Sequence, residues 1–311
     1  MLRAANMDKL LIQPLIALLI SSLIAARAYR RKSLDLSGAI AGFAVMTIHI
    51  AIGYRHADFL SSFSFSFSAS KSQKGELYGA LLLVFFFTSS KLTKVGEDKK
   101  RRVDADFKEG GQRNWVQVLS NSGIASVLVL VLWSKTGLQD KCLDSKESVF
   151  ITSLIGGVIG HYACCNGDTW SSELGILSDA QPRLITTFKP VRKGTNGGVT
   201  KAGLLAAAAA GSVIGLTYVV FGFPTTKCTY DVALKQLLVI PISTLAGLCG
   251  SLIDSLLGAT LQFSGFCTVV GKPGPTVKKI SGLNYLDNNA VNVVSILLTT
   301  ILTSIACTCI F

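Results

Sequence analysis

Charged side chains are scarce in this chain. Asp, Glu, Lys and Arg make up 15% of its 311 residues, where a soluble domain carries about 25%. Half of the residues are hydrophobic, they come in blocks, and the mean hydropathy is +0.50. An ordinary soluble domain is thereby excluded. A polytopic membrane protein is indicated, because a spanning helix needs roughly 20 mostly apolar residues. Other absences narrow the chemistry. The eight cysteines form no C-x-x-C metal pair. No Walker A spacing of Gly, Lys and Ser/Thr occurs, and no Ser/His/Asp arrangement is legible. A cleavable signal peptide is disfavoured, since the apolar run from Leu10 to Ala26 exceeds the usual 7–15 residues and is followed by Arg30, Arg31 and Lys32. A Ser- and Arg-rich transit segment ahead of that run is also lacking.

What is present is a succession of eight apolar segments, near 10–28, 36–54, 77–90, 116–133, 149–165, 199–223, 232–260 and 289–311. The expected fold is an all-α polytopic helical bundle forming one multi-pass membrane domain over 1–311. Its third span is short. Its seventh is long and broken by Pro241, Gly247, Gly250 and Gly258. The net charge of +12 does not imply a nucleic-acid partner, because the basic residues sit in short loops. Alternating the segments across a membrane collects 20 of the 30 Lys and Arg on one side. By the positive-inside rule that side is cytosolic and both termini lie outside. A basic loop over 91–115 and a motif loop over 166–198 then open on the cytosol. The low-complexity loop 55–76, with its "SSFSFSFSAS", lies outside. Cys164, Cys165, Cys249, Cys267, Cys307 and Cys309 fall in or beside spans, where cysteine acts as a small apolar residue. Cys142 and Cys228 fall in outer loops, where a disulfide is one of two open alternatives. A transporter should carry paired broken spans in inverted repeats, and only one broken span is evident.

Two polar stretches interrupt this pattern. In "NGDTWSSELG", Asp168 and Glu173 follow Asn166 and Gly167. Asp254 lies within a span, where an ionisable group costs about 2.5–3.5 kcal/mol on insertion scales and is a functional candidate by default. Asp287, with Asn288 and Asn289, opens the last span. These oxygen donors on one face suit Mg²⁺, which is usually held by one or two carboxylates plus substrate phosphates. Helix capping is the competing role for Asp168 and Asp287, and a buried partner is the competitor for Asp254. Asp168, Glu173 and Asp254 are thus catalytic candidates, and Asp168, Glu173 and Asp287 metal candidates. The second stretch, "TTFKPVRKGTNGGVT", offers Lys189, Arg192 and Lys193, then Gly194, Thr195, Asn196, Gly197, Gly198 and Thr200 ahead of a helix. Glycine backbone N–H groups and a helix N-terminus can close on an anion such as a phosphate. An ordinary basic turn is the bland alternative. Lys91, Lys94 and Arg113 are second-tier phosphate ligands, and His161 reads as a packed histidine.

"NGDTWSSELG", "RKGTNGGV", "GSLIDSLLGATLQ", "LDNNAVN" and "KEGGQRNWVQVLSN" together resemble the transmembrane protein 19 family (domain of unknown function 92), and in particular its plant members. The resemblance covers nearly the whole chain. A related branch contains the plant phytyl-phosphate kinase, which makes a prenyl diphosphate from a monophosphate. The resemblance implies that Asp168, Glu173, Lys189 and Gly194–Gly198 form a nucleotide and phosphate site at the cytosolic face, in a kinase for isoprenoid monophosphates. Its other implication is a non-enzymatic regulator of glucose-responsive growth. The plasma membrane is the expected location, with the endoplasmic reticulum as the alternative. Membrane lipids and an isoprenoid phosphate are the expected partners.

Overall fold

The computed structural model describes residues 2–53, 77–102, 109–137, 139–267 and 277–311. The low-complexity loop 55–76 lies outside them. Apolar blocks become helices because a chain in lipid must satisfy its backbone polar groups internally. The helices are α1 (Leu2–Arg30), α2 (Leu36–Gly53), α3 (Leu77–Thr93), α4 (Glu97–Arg101), α5 (Trp115–Ser120), α6 (Gly123–Thr136), α7 (Ser145–Leu177), α8 (Lys201–Thr225), α9 (Tyr230–Lys235), α10 (Val239–Leu261) and α11 (Asn288–Ile310). Four stretches among the described residues are long and apolar enough to cross a membrane: Ser145–Gly175, Lys201–Thr225, Tyr230–Leu261 and Asn288–Ile310. Leu36–Ala51, Leu77–Thr93 and Gly123–Thr136 are shorter apolar helices. The fold is the all-α membrane bundle expected.

α7 is the central helix, packed against α3, α6, α8, α10 and α11. Small residues bring the backbones together, the usual device where lipid removes the hydrophobic drive for helix association. Gly156 and Gly160 of α7 lie on Cys307 and Thr303 of α11, and a Cβ on Gly160 would stand 2.5 Å from the Thr303 side chain. The buried polar groups of α7 bond across the bundle. Tyr162 and the His49 ring nitrogen are 2.6 Å apart. Asn166 donates to Ala210 O of α8 and accepts from Thr88 and Ser89 of α3. His161 is packed, its Nε2 3.0 Å from Asn121 O.

Four expectations about the elements change. α7 does not end near residue 165. It runs to Leu177, so the first part of the expected 166–198 loop is helical. The remainder is folded too, with two-residue strands β1 (Arg183–Leu184) and β2 (Gly198–Val199) pairing antiparallel. The loop expected over 91–115 contains α4 and a 3₁₀ turn at Glu109–Gly111. The seventh segment bends at the 3₁₀ turn Gln236–Leu238, and α10 is continuous through Pro241 and its glycines. Pro241 sits in the first turn of α10, where a missing N–H is tolerated. The fourth segment is interrupted as well: α5 ends at Ser120 and α6 begins at Gly123. The carbonyl of Asn121 at that break is the group His161 meets.

The open question about Cys142 and Cys228 is answered by a disulfide, with Cα atoms 5.9 Å apart. It joins the segment before α7 to the segment after α8. Gln236 reinforces the same end of the bundle by exchanging two hydrogen bonds with the Leu143 backbone, at 3.0 and 2.9 Å. The opposite end holds the C-termini of α7 and α10 and the N-termini of α8 and α11. A second hairpin, β3 (Ser264–Cys267) with β4 (Val277–Ser281), extends from the end of α10.

Candidate functional site

That opposite end encloses a polar cavity of about 340 Å³. Residues of α5, α7, α10 and α11 and of one loop line it, Gln117 coming from α5 with Arg113 and Asn121 just beyond its ends. From α7 come Asp168, Thr169, Ser171, Ser172 and Glu173. From α10 come Ser251, Asp254, Ser255 and Gly258, spaced to fall on one helical face, with Gln262 just past its end. Asn288 and Asn292 enter from α11, and Lys193 to Gly198 from the loop between β1 and β2. Asp168, Asp254 and the glycine turn, distant in sequence, therefore line one space.

The glycine turn is held against α10. Gly194 and Gly197 adopt positive φ, 81° and 76°. A Cβ on Gly197 would lie 2.4 Å from Ala259 Cβ and 2.5 Å from Ser255 O, so only glycine fits. Asn196 secures the turn from the other side: its N–H donates to Ser264 Oγ at 3.0 Å and its amide to Phe263 O at 3.2 Å. Lys193 donates from Nζ to Ser178 O, just beyond the end of α7. Thr200 then caps α8, its hydroxyl accepting from Gly203 N at 3.0 Å. Lys189 and Arg192 are exposed and outside the cavity lining. The hairpin turns them away from the space that Lys193 faces.

The four carboxylates separate by partner. Asp287 caps α11, accepting from Ala290 N at 2.8 Å, and does not line the cavity; Asn289 does not line it either. Glu173 pairs with Lys100 of α4 at 2.6 Å, with only 6% of the Lys100 side chain and 18% of that of Glu173 exposed. Lys100 also donates to Leu92 O and Thr93 O at the end of α3. The ammonium thus closes a helix C-terminus and neutralises an acid in one contact. Asp254 accepts from Ser295 Oγ at 3.0 Å, and the Asn292 amide, oriented to donate, lies 3.2 Å from the same oxygen. Among the described residues, nothing donates a hydrogen bond to Asp168, and neither Asp168 nor Asp254 has a cationic partner. Asp168, Asp254 and Glu173 are three acidic side chains on the lining of one cavity.

Arg113 stands at the cavity edge. Its guanidinium donates to Ser90 Oγ at 3.2 Å and Thr93 Oγ1 at 3.3 Å. Burial lowers its pKa from the ordinary value and the Glu173 charge opposes that, but a guanidinium stays charged in proteins. Lys94 is engaged with Arg31 O. Among the described residues, no three His, Cys, Asp or Glu side chains form a ready metal cage. Two carboxylates with neighbouring carboxamides are nonetheless the donor set with which Mg²⁺ is held when substrate phosphates complete its shell.

Lys100 was hidden in a loop of mixed charge. Gln117, Asn292, Ser251, Ser255 and Gln262 are further lining residues that no motif marks, although the spacing of Ser251, Asp254, Ser255, Gly258 and Gln262 in an apolar segment is a detectable helical stripe. The ion pair gives a direct prediction. Lys100→Met leaves Glu173 charged without its partner, and breaking a buried pair costs about 3–5 kcal/mol. Adding Glu173→Gln is expected to recover most of that loss. Thermal unfolding of both single variants and the double variant checks it; equal and additive losses would mean the pair is not coupled.

The chain matches the family model "Integral membrane protein DUF92" over residues 72–300. It is 72% identical to "Protein PGR" of Arabidopsis thaliana over 95% of this chain and 96% of that one. An uncharacterized membrane protein of Methanocaldococcus jannaschii is 35% identical over 61% of this chain and 68% of its own length. Another from Synechocystis is 30% identical over 58% of this chain and 62% of its own. No solved structure matches. With apolar helices of spanning length and these likenesses together, the chain belongs to the DUF92 family of integral membrane proteins and is a plant PGR-type member of it.

Proposed function

We propose that the cavity is the site of a phosphotransferase acting on isoprenoid monophosphates, with ATP or CTP as donor. One observation carries this reading: Asp168 and Asp254, lacking cationic partners among the described residues, face a glycine turn bearing Lys193 across a single polar cavity. A bound Mg²⁺ would supply charge neutralisation on the phosphates, as in other phosphoryl transfers. Asp168 and Asp254 would hold it, with Asn288 and Asn292 offering further oxygens. Lys193 and the backbone of Gly194–Gly198 would bind the nucleotide phosphates. In the reaction, an oxygen of the prenyl phosphate forms a bond to the γ-phosphorus while the bond from that phosphorus to the β–γ bridging oxygen breaks. The products are a prenyl diphosphate and a nucleoside diphosphate. A preformed site contributes to such a step mainly through position and electrostatics.

The cytosolic orientation of the cavity is supported by the basic loops at its end and by the Cys142–Cys228 disulfide at the other. Disulfides persist on oxidising sides of membranes, which suits both the plasma membrane and the endoplasmic reticulum. The test is transfer from labelled ATP or CTP to prenyl monophosphates by the purified protein with Mg²⁺. Wild type is expected to form the diphosphate, and Asp254→Asn to lose at least about 100-fold in rate, the scale of removing one preorganised charge contact. Absence of transfer from folded protein with every donor and acceptor pair would overturn the proposal and turn the cavity into a ligand-sensing site of a regulator.

A further inference from the structure

A second, apolar cavity of about 50 Å³ lies between α2, α3 and α5, with Val45, Met46, Leu82, Phe86 and Val118 in its walls. It is not separate from the polar one. Arg113, Gln117 and Asn121 line both. The apolar space therefore begins where the polar space ends, and a cation stands at the boundary. Among the described residues, the Arg113 guanidinium donates only to two neutral hydroxyls and makes no salt bridge. A guanidinium has five N–H donors in a fork that matches phosphate oxygens, so this one retains capacity for an anion. On two of the same helices, Leu36 and Ile40 of α2 and Trp115 and Leu119 of α5 are exposed, apolar side chains of the kind that lipid covers.

We infer that Arg113 binds the phosphate of the isoprenoid substrate and that the first part of its hydrocarbon chain enters the crevice between α2, α3 and α5. This rests on the reading of the polar cavity as a prenyl-phosphate site and divides that site in two. The nucleotide lies on the glycine-turn side, and the lipid phosphate on the Arg113 side. The crevice accommodates only a few carbons, so specificity falls on the isoprenoid units next to the phosphate, and a longer tail continues into the bilayer. The enzyme would then discriminate weakly by chain length and strongly against a chain with no phosphate.

The experiment uses the full-length protein in detergent with Mg²⁺ and a farnesyl monophosphate carrying a photoreactive diazirine on its first isoprene unit. Labelled peptides are mapped by mass spectrometry, with farnesyl phosphate, farnesol or inorganic phosphate as competitor. Labelling is expected on α2, α3 and α5, at Met46, Phe86 or Val118. Farnesyl phosphate should displace it at concentrations at least about tenfold lower than farnesol, since a charge-assisted bond to phosphate is lost with the alcohol. Arg113→Met should remove that preference. Displaceable labelling confined to α7, α8 or α10 would overturn the crevice while leaving a prenyl-phosphate site standing. Equal competition by farnesol in wild type would overturn the role of Arg113, whatever the variant does. No displaceable labelling anywhere would remove both this inference and the reading it rests on.

Discussion

Asp168→Asn is expected to leave the metal-free protein as stable as wild type or more so, and to abolish its stabilisation by Mg²⁺. Asp168 and Asp254 share one cavity, and the only described donors on either are Ser295 and Asn292, both acting on Asp254. Two like charges in a partly dry space repel, so removing one relieves strain; function-linked sites commonly carry such a stability cost. A cation that bridges them reverses the balance. A ligand at 100 times its Kd stabilises a folded state by about 2.7 kcal/mol. Wild type should therefore show a thermal midpoint that rises with Mg²⁺ and saturates. Asp168→Asn and Asp254→Asn should start at or above the wild-type midpoint and respond little. Glu173→Gln should keep the Mg²⁺ response, because Lys100 already occupies that carboxylate. An equal rise in all four proteins would show that the metal acts elsewhere. No rise in wild type, with or without nucleotide, would remove Mg²⁺ from the site.

The same carboxylates show how far the sequence could be followed. The spans were legible because lipid demands long apolar runs, and the helices fall close to the apolar segments. Legibility stopped where tertiary contacts overruled local preference. "NGDTWSSELG" reads as a turn, since Asn, Gly, Asp and Ser favour turns. Yet α7 continues through it, because Asn166 bonds across to α8 and α3 and Gly167 is pressed against α10. Asp254 was legible as an ionisable group within a span, and its neutral partners Ser295 and Asn292 were not. Asp287 reads equally as a metal ligand or a helix cap in the sequence, and in the structure its carboxylate caps α11. Lys189, Arg192 and Lys193 were equivalent as cations in a turn. The register of the β1–β2 hairpin, which one sequence does not reveal, puts Lys193 alone of the three into the lining. The pairing of Lys100 with Glu173 depends on α4 folding back onto α7, and nothing in the composition of the 91–115 loop announces it.

Gly167→Leu is expected to prevent assembly of the bundle. A Cβ at residue 167 would lie 2.5 Å from Gly247 O and 2.8 Å from Gly247 Cα, so the obstacle is backbone and no side chain can rotate away. Gly247 in turn is closed in by α8: its own Cβ would be 2.8 Å from Ala207 O and 2.9 Å from Gly211 Cα. Three backbones therefore stack through Gly167, Gly247 and Gly211, and α10 has nowhere to retreat. Ordinary overpacking costs about 1–3 kcal/mol where side chains can adjust; here the loss should exceed that range. The consequence reaches the cavity, because Asp168 follows Gly167 directly and Asp254 lies two turns beyond Gly247. Prying α7 from α10 would separate the two carboxylates. Gly175→Ala is the control on the same helix. Its Cβ would meet only Thr200 Oγ1 at 3.4 Å and Gly203 Cα at 3.7 Å, ordinary contact distances, and alanine gains up to about 1 kcal/mol of helix preference over glycine. Size-exclusion profiles and thermal midpoints in one detergent compare them. Gly175→Ala should elute and melt as wild type or later, while Gly167→Leu should be lost to aggregate or degraded in the membrane. A monodisperse Gly167→Leu with an unchanged midpoint would mean that α7 and α10 do not meet at these glycines, and the shared cavity would go with that contact.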